Sequence, residues 1–214
     1  MTFEFSRMIQ NLFAPIFFAF AFFLKDISPI QNRILNTGFI QTISAEKISD
    51  AALSLTHDKV QYDPTYFSIK YPNGDVPSEK GVCTDVVIRT YRKLNIDLQR
   101  LVHEDMQTHF EKYPHNWGLK KTDTNIDHRR VPNLMTFFLR FGKIKKITAN
   151  AEDYVPGDIV TFDLGRGLTH IGIVVNKKSA NNLRYLIVHN IGNGQELSDC
   201  LFSFKIPGHY YFEN

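Results

Sequence analysis

The spacing of apolar and polar positions changes once along this chain. From residue 44 to about residue 142, apolar side chains return every three or four positions. That period predicts helices. In "SAEKISDAALSLTH", Ile48, Ala52 and Leu55 share one face. Ser44 is the natural N-cap, because its hydroxyl can accept a free first-turn N–H. A second helix is predicted to begin at Val82 or Cys83, with Val86, Val87, Thr90 and Leu94 on one stripe. It should stop at Asn95, a residue type that tolerates the left-handed position after a helix. A third helix is expected over Asp97–Phe110, with Leu98, Leu101, Val102 and Met106 inward. "RVPNLMTFFLRFG" predicts a fourth: Pro132 suits its first turn, Leu134, Phe137, Phe138 and Phe141 form its buried face, and Gly142 ends it.

Beyond that point the runs are short, β-branched and aromatic. "GDIVTFDL", "THIGIVVN", "RYLIVHNI" and "LFSFKI" read as strands, and "GHYYFE" is a candidate fifth. Turn residues separate them: Gly165 and Gly167, then 176–182, then Gly192–Gly194. Helices followed by antiparallel strands predict an α+β domain over 44–214, with helices packed on a sheet of about five strands. A helical and loop insert is expected at about 97–145. Residues 26–43, with Pro29 and few periodic positions, read as a linker.

At 214 residues the chain is long enough for one domain with a proper core. A net charge of +3 makes no case for a nucleic-acid partner, and none is expected. The N-terminus changes the picture more. "LFAPIFFAFAFFL", Leu12–Leu24, carries no charge and lies between Arg7 and Lys25. Its length fits the apolar region of a secretory signal, about 7–15 residues. It falls short of the roughly 20 needed to span a bilayer. Residues 1–25 are therefore expected to be a signal peptide or an N-terminal membrane anchor. Either places the domain in the periplasm or outside the cell. Export permits a disulfide, but with only Cys83 and Cys200 a single bridge is the most the chain could form.

Cys83 is the first candidate for chemistry. A thiol at a helix N-terminus faces unpaired N–H groups, which favour the thiolate. It would be a nucleophile if a base and an orienting group reached it. The strands supply both. His170 opens "HIGIVV" and His189 closes "YLIVHN", so an antiparallel hairpin should make them neighbours on the rim of the sheet. Alternation sends Ile171, Ile173 and Val175 to one face and His170, Gly172 and Val174 to the other. If the Cys83 helix meets that rim, His170 would take the thiol proton and His189 would hold its imidazole. Asn190 is the competing orienter on the substrate side. The backbone N–H of Cys83 is the natural donor to an oxyanion.

These blocks resemble those of the NlpC-type peptidoglycan cysteine peptidases, bacterial relatives of papain. "GVCTDVVIRTYRKL" supplies the cysteine at a helix start, Pro156-Gly157-Asp158 a turn into a strand, "HIGIV" the histidine, and His189 the polar third residue. More closely, residues 71–211 resemble a bacterial domain family of unknown function numbered 1287, placed in the same papain-like superfamily. The phrases that match it include "GDVP", "GVCTDVVIR", "LVHEDM", "NIDHRRVPNL", "PGDIV", "HIGIV", "VHNIG" and "GHY". The resemblance implies a papain-like core and a Cys83–His170–His189 triad acting on an amide of peptidoglycan or a related cell-envelope peptide. The alternatives are an acyltransferase or another amidase with the same triad, or an idle periplasmic binding domain. Val82 and Thr84 stand where NlpC-type enzymes commonly carry Asp and Ser. That Asp helps recognise the amino end of a stem peptide, so the chemistry carries over further than the γ-glutamyl specificity.

A second polar cluster lies between helix two and the strands. It contains His103, Glu104, Asp105, His109, His115, Trp117, Asp127, His128, Arg129 and Arg130. No H-E-x-x-H or similar ligand spacing appears, so neither a metal nor a cofactor is expected. Arginine forks recognise carboxylates bidentately. Arg129 and Arg130, with Asp127 and His128, are candidates for a substrate clamp, and a salt-bridged loop is the alternative. Trp117 is expected to plug the core of the insert.

Overall fold

The computed structural model describes residues 43–213. The expected signal or anchor over 1–25, and the linker over 26–43 apart from Ile43, lie outside the described residues. Among the described residues there are four α-helices: α1 (Ala45–Ser54), α2 (Cys83–Lys93), α3 (Leu98–Thr108) and α4 (Val131–Phe141). Ser44 caps α1 by accepting the N–H of Lys47 at 3.3 Å. Asp97 does the same for α3, accepting from Arg100 at 3.0 Å. At the end of α2, Asn95 sits at φ +63°. The N–H of Ile96 donates to the carbonyl of Tyr91 at 3.0 Å and that of Asn95 to the carbonyl of Arg92, also at 3.0 Å. This is the paired bonding of a Schellman stop, and it needs the left-handed residue that asparagine supplies.

The strands are β1 (Gln61–Tyr62), β2 (Lys80–Gly81), β3 (Lys143–Ile144), β4 (Ile159–Gly165), β5 (Leu168–Lys178), β6 (Tyr185–His189), β7 (Glu196–Ser198) and β8 (Lys205–Tyr211). β1 and β2 form a short parallel pair leading into Cys83. The other six form one antiparallel sheet in the order β3-β8-β4-β5-β6-β7. The fold is therefore α+β, with six strands in the main sheet rather than about five. Leu201–Phe204 is turn, not strand, and Lys205 and Ile206 join "GHYY" in the single strand β8. β3 and β7 are two- and three-residue edge strands, too short for a periodic signal.

Both faces of the central strands are covered, which is why they read as near-continuous apolar runs. On the helix side, Cys83, Val86, Val87 and Tyr91 of α2 share one core with Ile171, Ile173 and Val175 of β5. Leu98, Val102 and Met106 of α3 and Leu134, Phe137 and Phe138 of α4 belong to the same core, so the helices of the 97–145 segment pack with the rest of the domain. Each fully buried side chain of this size contributes about 1.5–3 kcal/mol. Tyr91 also donates its hydroxyl to the carbonyl of Phe212 at 3.0 Å, tying α2 to the end of the sheet. The opposite face packs Val160, Phe162, Val174 and Ile187 against Tyr154 and Leu201. Phe141 is not on the buried face of α4: it is 52% exposed, because it lies in the last turn, beyond the sheet contact. Among the described residues no helix is long and apolar enough to cross a membrane.

Candidate active site

Cys83 is the first residue of α2 and is buried. Val82 precedes it in extended conformation and has no oxygen with which to cap. Asp85 compensates by accepting the N–H of Val82 at 2.7 Å. Arg129 holds that carboxylate from the far side, with Nε to Oδ1 and Nη2 to Oδ2 both at 2.9 Å. Thr84 donates to the carbonyl of Arg129 at 3.2 Å. The start of α2 is thus clamped by a buried bidentate ion pair. Burial pushes the Cys83 thiol up to about 12; the amides of Ile171, Thr84 and Cys83 itself oppose the rise, and the Asp85 charge adds to it. The helix N-terminus does not overcome desolvation, and at neutral pH the resting group is a thiol.

The hairpin β5–β6 brings His170 and His189 together as the sequence predicts. His170 Nε2 lies 2.8 Å from His189 Nδ1, with the rings edge to face at 76°. Gly172 makes this possible. A Cβ there would lie 2.5 Å from Ile187 Cγ2 and 3.2 Å from His189 Cβ. Burial pushes His170 down to about 3, with His189 repelling its proton as the smaller cause. Burial alone takes His189 to about 4. Both rings are neutral at pH 7 and can act as bases, and one must donate to the other. The bond uses Nε2 of His170, leaving its Nδ1 without a hydrogen-bond partner among the described residues.

The expected thiol–imidazole hydrogen bond is absent among the described residues. The reason is the alternation of β5. α2 packs on the side of Ile171 and Ile173, whereas the His170 ring lies toward Phe162, 5.9 Å between centroids. The sulfur instead faces the amide of Ile171, the residue after His170. Cys83 and the histidine pair therefore meet at the start of β5, with the sulfur beside the backbone there and no direct bond. Asn190 does not orient either histidine. It donates to the carbonyl of Gly81 at 3.3 Å and accepts from Gly192 at 3.2 Å, fastening the approach to Cys83 onto the end of β6.

The predicted substrate clamp is turned inward. Arg129 is engaged by Asp85. Asp127 has no exposed surface, and its Oδ2 meets His103 Nδ1 at 3.0 Å and the N–H of Asp123 at 2.7 Å. Desolvation nevertheless raises the pKa of that carboxyl. His128 is 1% exposed, and burial lowers it to about 3. These residues pin the loop before α4, the salt-bridged alternative. Arg130 is partly exposed and lies over the Trp117 ring at 4.3 Å. Trp117 itself is 60% exposed at φ +64°, so it plugs no core. Asp158 of the Pro-Gly-Asp turn is structural too: it bonds Lys145 at 2.7 Å, His209 at 2.8 Å and the N–H of Val155 at 2.9 Å.

Three residues near the site escape sequence reading. Tyr62, on β1, pairs with Gly81 two residues before Cys83, and its phenol pKa is raised by burial first, then by the charges of Cys83 and Asp85. A two-residue strand offers no period that could reveal it. Cys200 Sγ lies 3.7 Å from His189 Nε2, and Glu196 Oε1 lies 3.9 Å from the same nitrogen. Both come from the edge strand β7 and the turn after it. Cys83 and Cys200 are free thiols.

The chain is 48% identical over 173 residues to the uncharacterized protein YijF of Escherichia coli (strain K12), covering 81% of this chain and 84% of that protein. No solved structure matches it. The family described as "Domain of unknown function (DUF1287)" matches residues 49–212, nearly the whole of the described α+β domain, and the chain belongs to that family.

Proposed function

We propose that this protein is an exported cysteine hydrolase of the papain-like superfamily that cleaves an amide bond in peptidoglycan or a related cell-envelope peptide. The observation that carries the reading is the buried His170–His189 pair with its unbonded Nδ1, on the strand that the Cys83 sulfur touches. The resemblance to NlpC-type peptidases supports the same roles. The apolar segment Leu12–Leu24 supports export, with or without retention at the inner membrane.

The reaction requires Cys83 Sγ and His170 Nδ1 to come within reach, so the start of β5 must turn the His170 ring toward α2 when substrate binds. Sγ attacks the carbonyl carbon while its proton passes to His170 Nδ1, forming an imidazolium and a tetrahedral oxyanion. The N–H of Cys83 at the helix start donates to that oxygen. Collapse breaks the C–N bond, and His170 returns its proton to the leaving amine. Water then attacks the thioester, again deprotonated by His170, and releases the acid and the free thiol. His189 holds the ring of His170 throughout. Because the resting thiol is neutral, the nucleophile forms during attack and is not stored as a thiolate.

The test compares peptidoglycan digests by wild type and Cys83→Ala, resolved by mass spectrometry. New fragments that need Cys83 support the reading, and matching profiles refute it. The raised thiol pKa and the missing thiol–imidazole bond favour one second reading, an envelope-binding domain that keeps the fold with an idle thiol. Equal binding of peptidoglycan by wild type and Cys83→Ala, with no fragments from either, would select it.

A further inference from the structure

The two hydrogen-bonded histidines can share their protons in two ways, and only one leaves a usable base. If His170 Nε2–H donates to His189 Nδ1, His170 Nδ1 keeps its lone pair and faces outward from the pair. If His189 Nδ1–H donates to His170 Nε2, then His170 Nδ1 carries the other proton and cannot take one from a thiol. The choice is set at the far nitrogen of the chain, His189 Nε2. Two groups meet that nitrogen: Cys200 Sγ at 3.7 Å and Glu196 Oε1 at 3.9 Å. An ionised carboxylate only accepts, so its field favours a proton on Nε2. A neutral thiol can accept that proton weakly or present its own.

We infer that Glu196 and Cys200 are positioning residues for the proposed hydrolase: together they hold His189 as its Nε2–H tautomer, which frees His170 Nδ1 to act as base. The inference rests on the reading of Cys83 and His170 given above, but the tautomer itself can be observed without any substrate. The surroundings are consistent with it. Burial, then the charges of Asp199 and Glu196, raise the Cys200 thiol to about 11, so at neutral pH it meets Nε2 as a neutral sulfur and the Glu196 carboxylate supplies the field that favours Nε2–H. Asp199 is itself paired with Arg184. The groups facing His189 are His170 from β5, Glu196 from β7 and Cys200 from the turn that follows; no cation contacts it among the described residues. Neither acceptor touches the scissile bond in this scheme. They act through His189, as outer partners of an active histidine commonly do.

The test is long-range ¹⁵N–¹H spectroscopy of ¹⁵N-histidine-labelled full-length protein, assigned by single histidine substitutions and recorded at pH 7. The expected result is Nε2–H for both His170 and His189. In Glu196→Leu/Cys200→Ala, His189 should become a mixture of tautomers, and peptidoglycan cleavage should slow on the order of 10-fold or more. Glu196→Leu alone, with Cys200 kept, should recover part of both. Glu196→Gln, a conservative change at a partly exposed side chain, should show a smaller shift in the same direction. Wild-type His189 found as Nδ1–H would overturn the inference, as would wild-type tautomers persisting in the folded double variant. Wild-type protein with Nε2–H on both rings but no cleavage would refute the proposed function and leave the tautomer assignment standing.

Discussion

Asp85 and Arg129 show how much of the candidate site rests on charges held inside the protein. Both side chains are at most 3% exposed and bond through two parallel N–H···O contacts. Removing one partner of such a pair leaves the other buried and uncompensated, which typically costs about 3–5 kcal/mol. Arg129→Met should therefore lower the denaturant midpoint strongly, and Arg129→Lys, which cannot reproduce the fork, should lose a large part of the same stability. A variant of normal stability with only weakened substrate binding would restore the clamp expected from the sequence. The thiol makes a second residue-scale prediction. With Cys83 buried and raised to about 12, and Cys200 more exposed and raised to about 11, iodoacetamide at pH 7 should modify Cys200 first and Cys83 slowly. Peptide mapping after timed alkylation reads this directly. Fast labelling of Cys83 near pH 6 would mean that the resting protein stores a thiolate.

At the scale of elements, the stop of α2 is a sensitive joint. Asn95 lies at φ +63°, where a β-branched side chain crowds its own backbone. Asn95→Val should destabilise by about 1–2 kcal/mol, whereas Asn95→Gly should be nearly neutral, as measured by urea unfolding. The helices were legible because local signals agreed with packing: Ser44, Asp97, Pro132 and Asn95 mark ends that the structure keeps. The β5–β6 hairpin was legible for the same reason, and with it the meeting of His170 and His189. Phe141 was misread because helical spacing gives a face but not how far the sheet beneath it extends. The absence of a direct Cys83–His170 bond is not legible in the sequence, because alternation assigns His170 a side of β5 without saying which side α2 covers. Arg129 gives no sign in sequence of its partner 44 residues earlier. β3 and β7 are too short for any period, so Glu196 and the Cys200 contact were hidden with them.

At the scale of the whole molecule, three buried histidines link the fold to pH. His128 and His170 are lowered to about 3 and His189 to about 4, all by burial first. In the unfolded chain each would titrate near 6.5. Unfolding therefore takes up protons below about pH 6.5, so the stability these residues provide is fully present above that pH. It is lost as the pH falls toward 4 and below, by at most about 1.4 kcal/mol per pH unit for each histidine. Urea midpoints should hold between pH 7 and 8 and fall steadily from pH 6 to pH 4, and His128→Gln should flatten that fall. A midpoint independent of pH over this range would show that the rings are not buried neutral.

The measurement that bears most directly on the proposed activity is the Cys83-dependent change in peptidoglycan. Wild type and Cys83→Ala, shown by circular dichroism to be equally folded, would be incubated with purified sacculi and the soluble products resolved by mass spectrometry. Hydrolysis through Cys83 predicts peptide fragments bearing a new amine and a new carboxyl terminus with wild type, and none above background with Cys83→Ala. Identical products from the two proteins would contradict it.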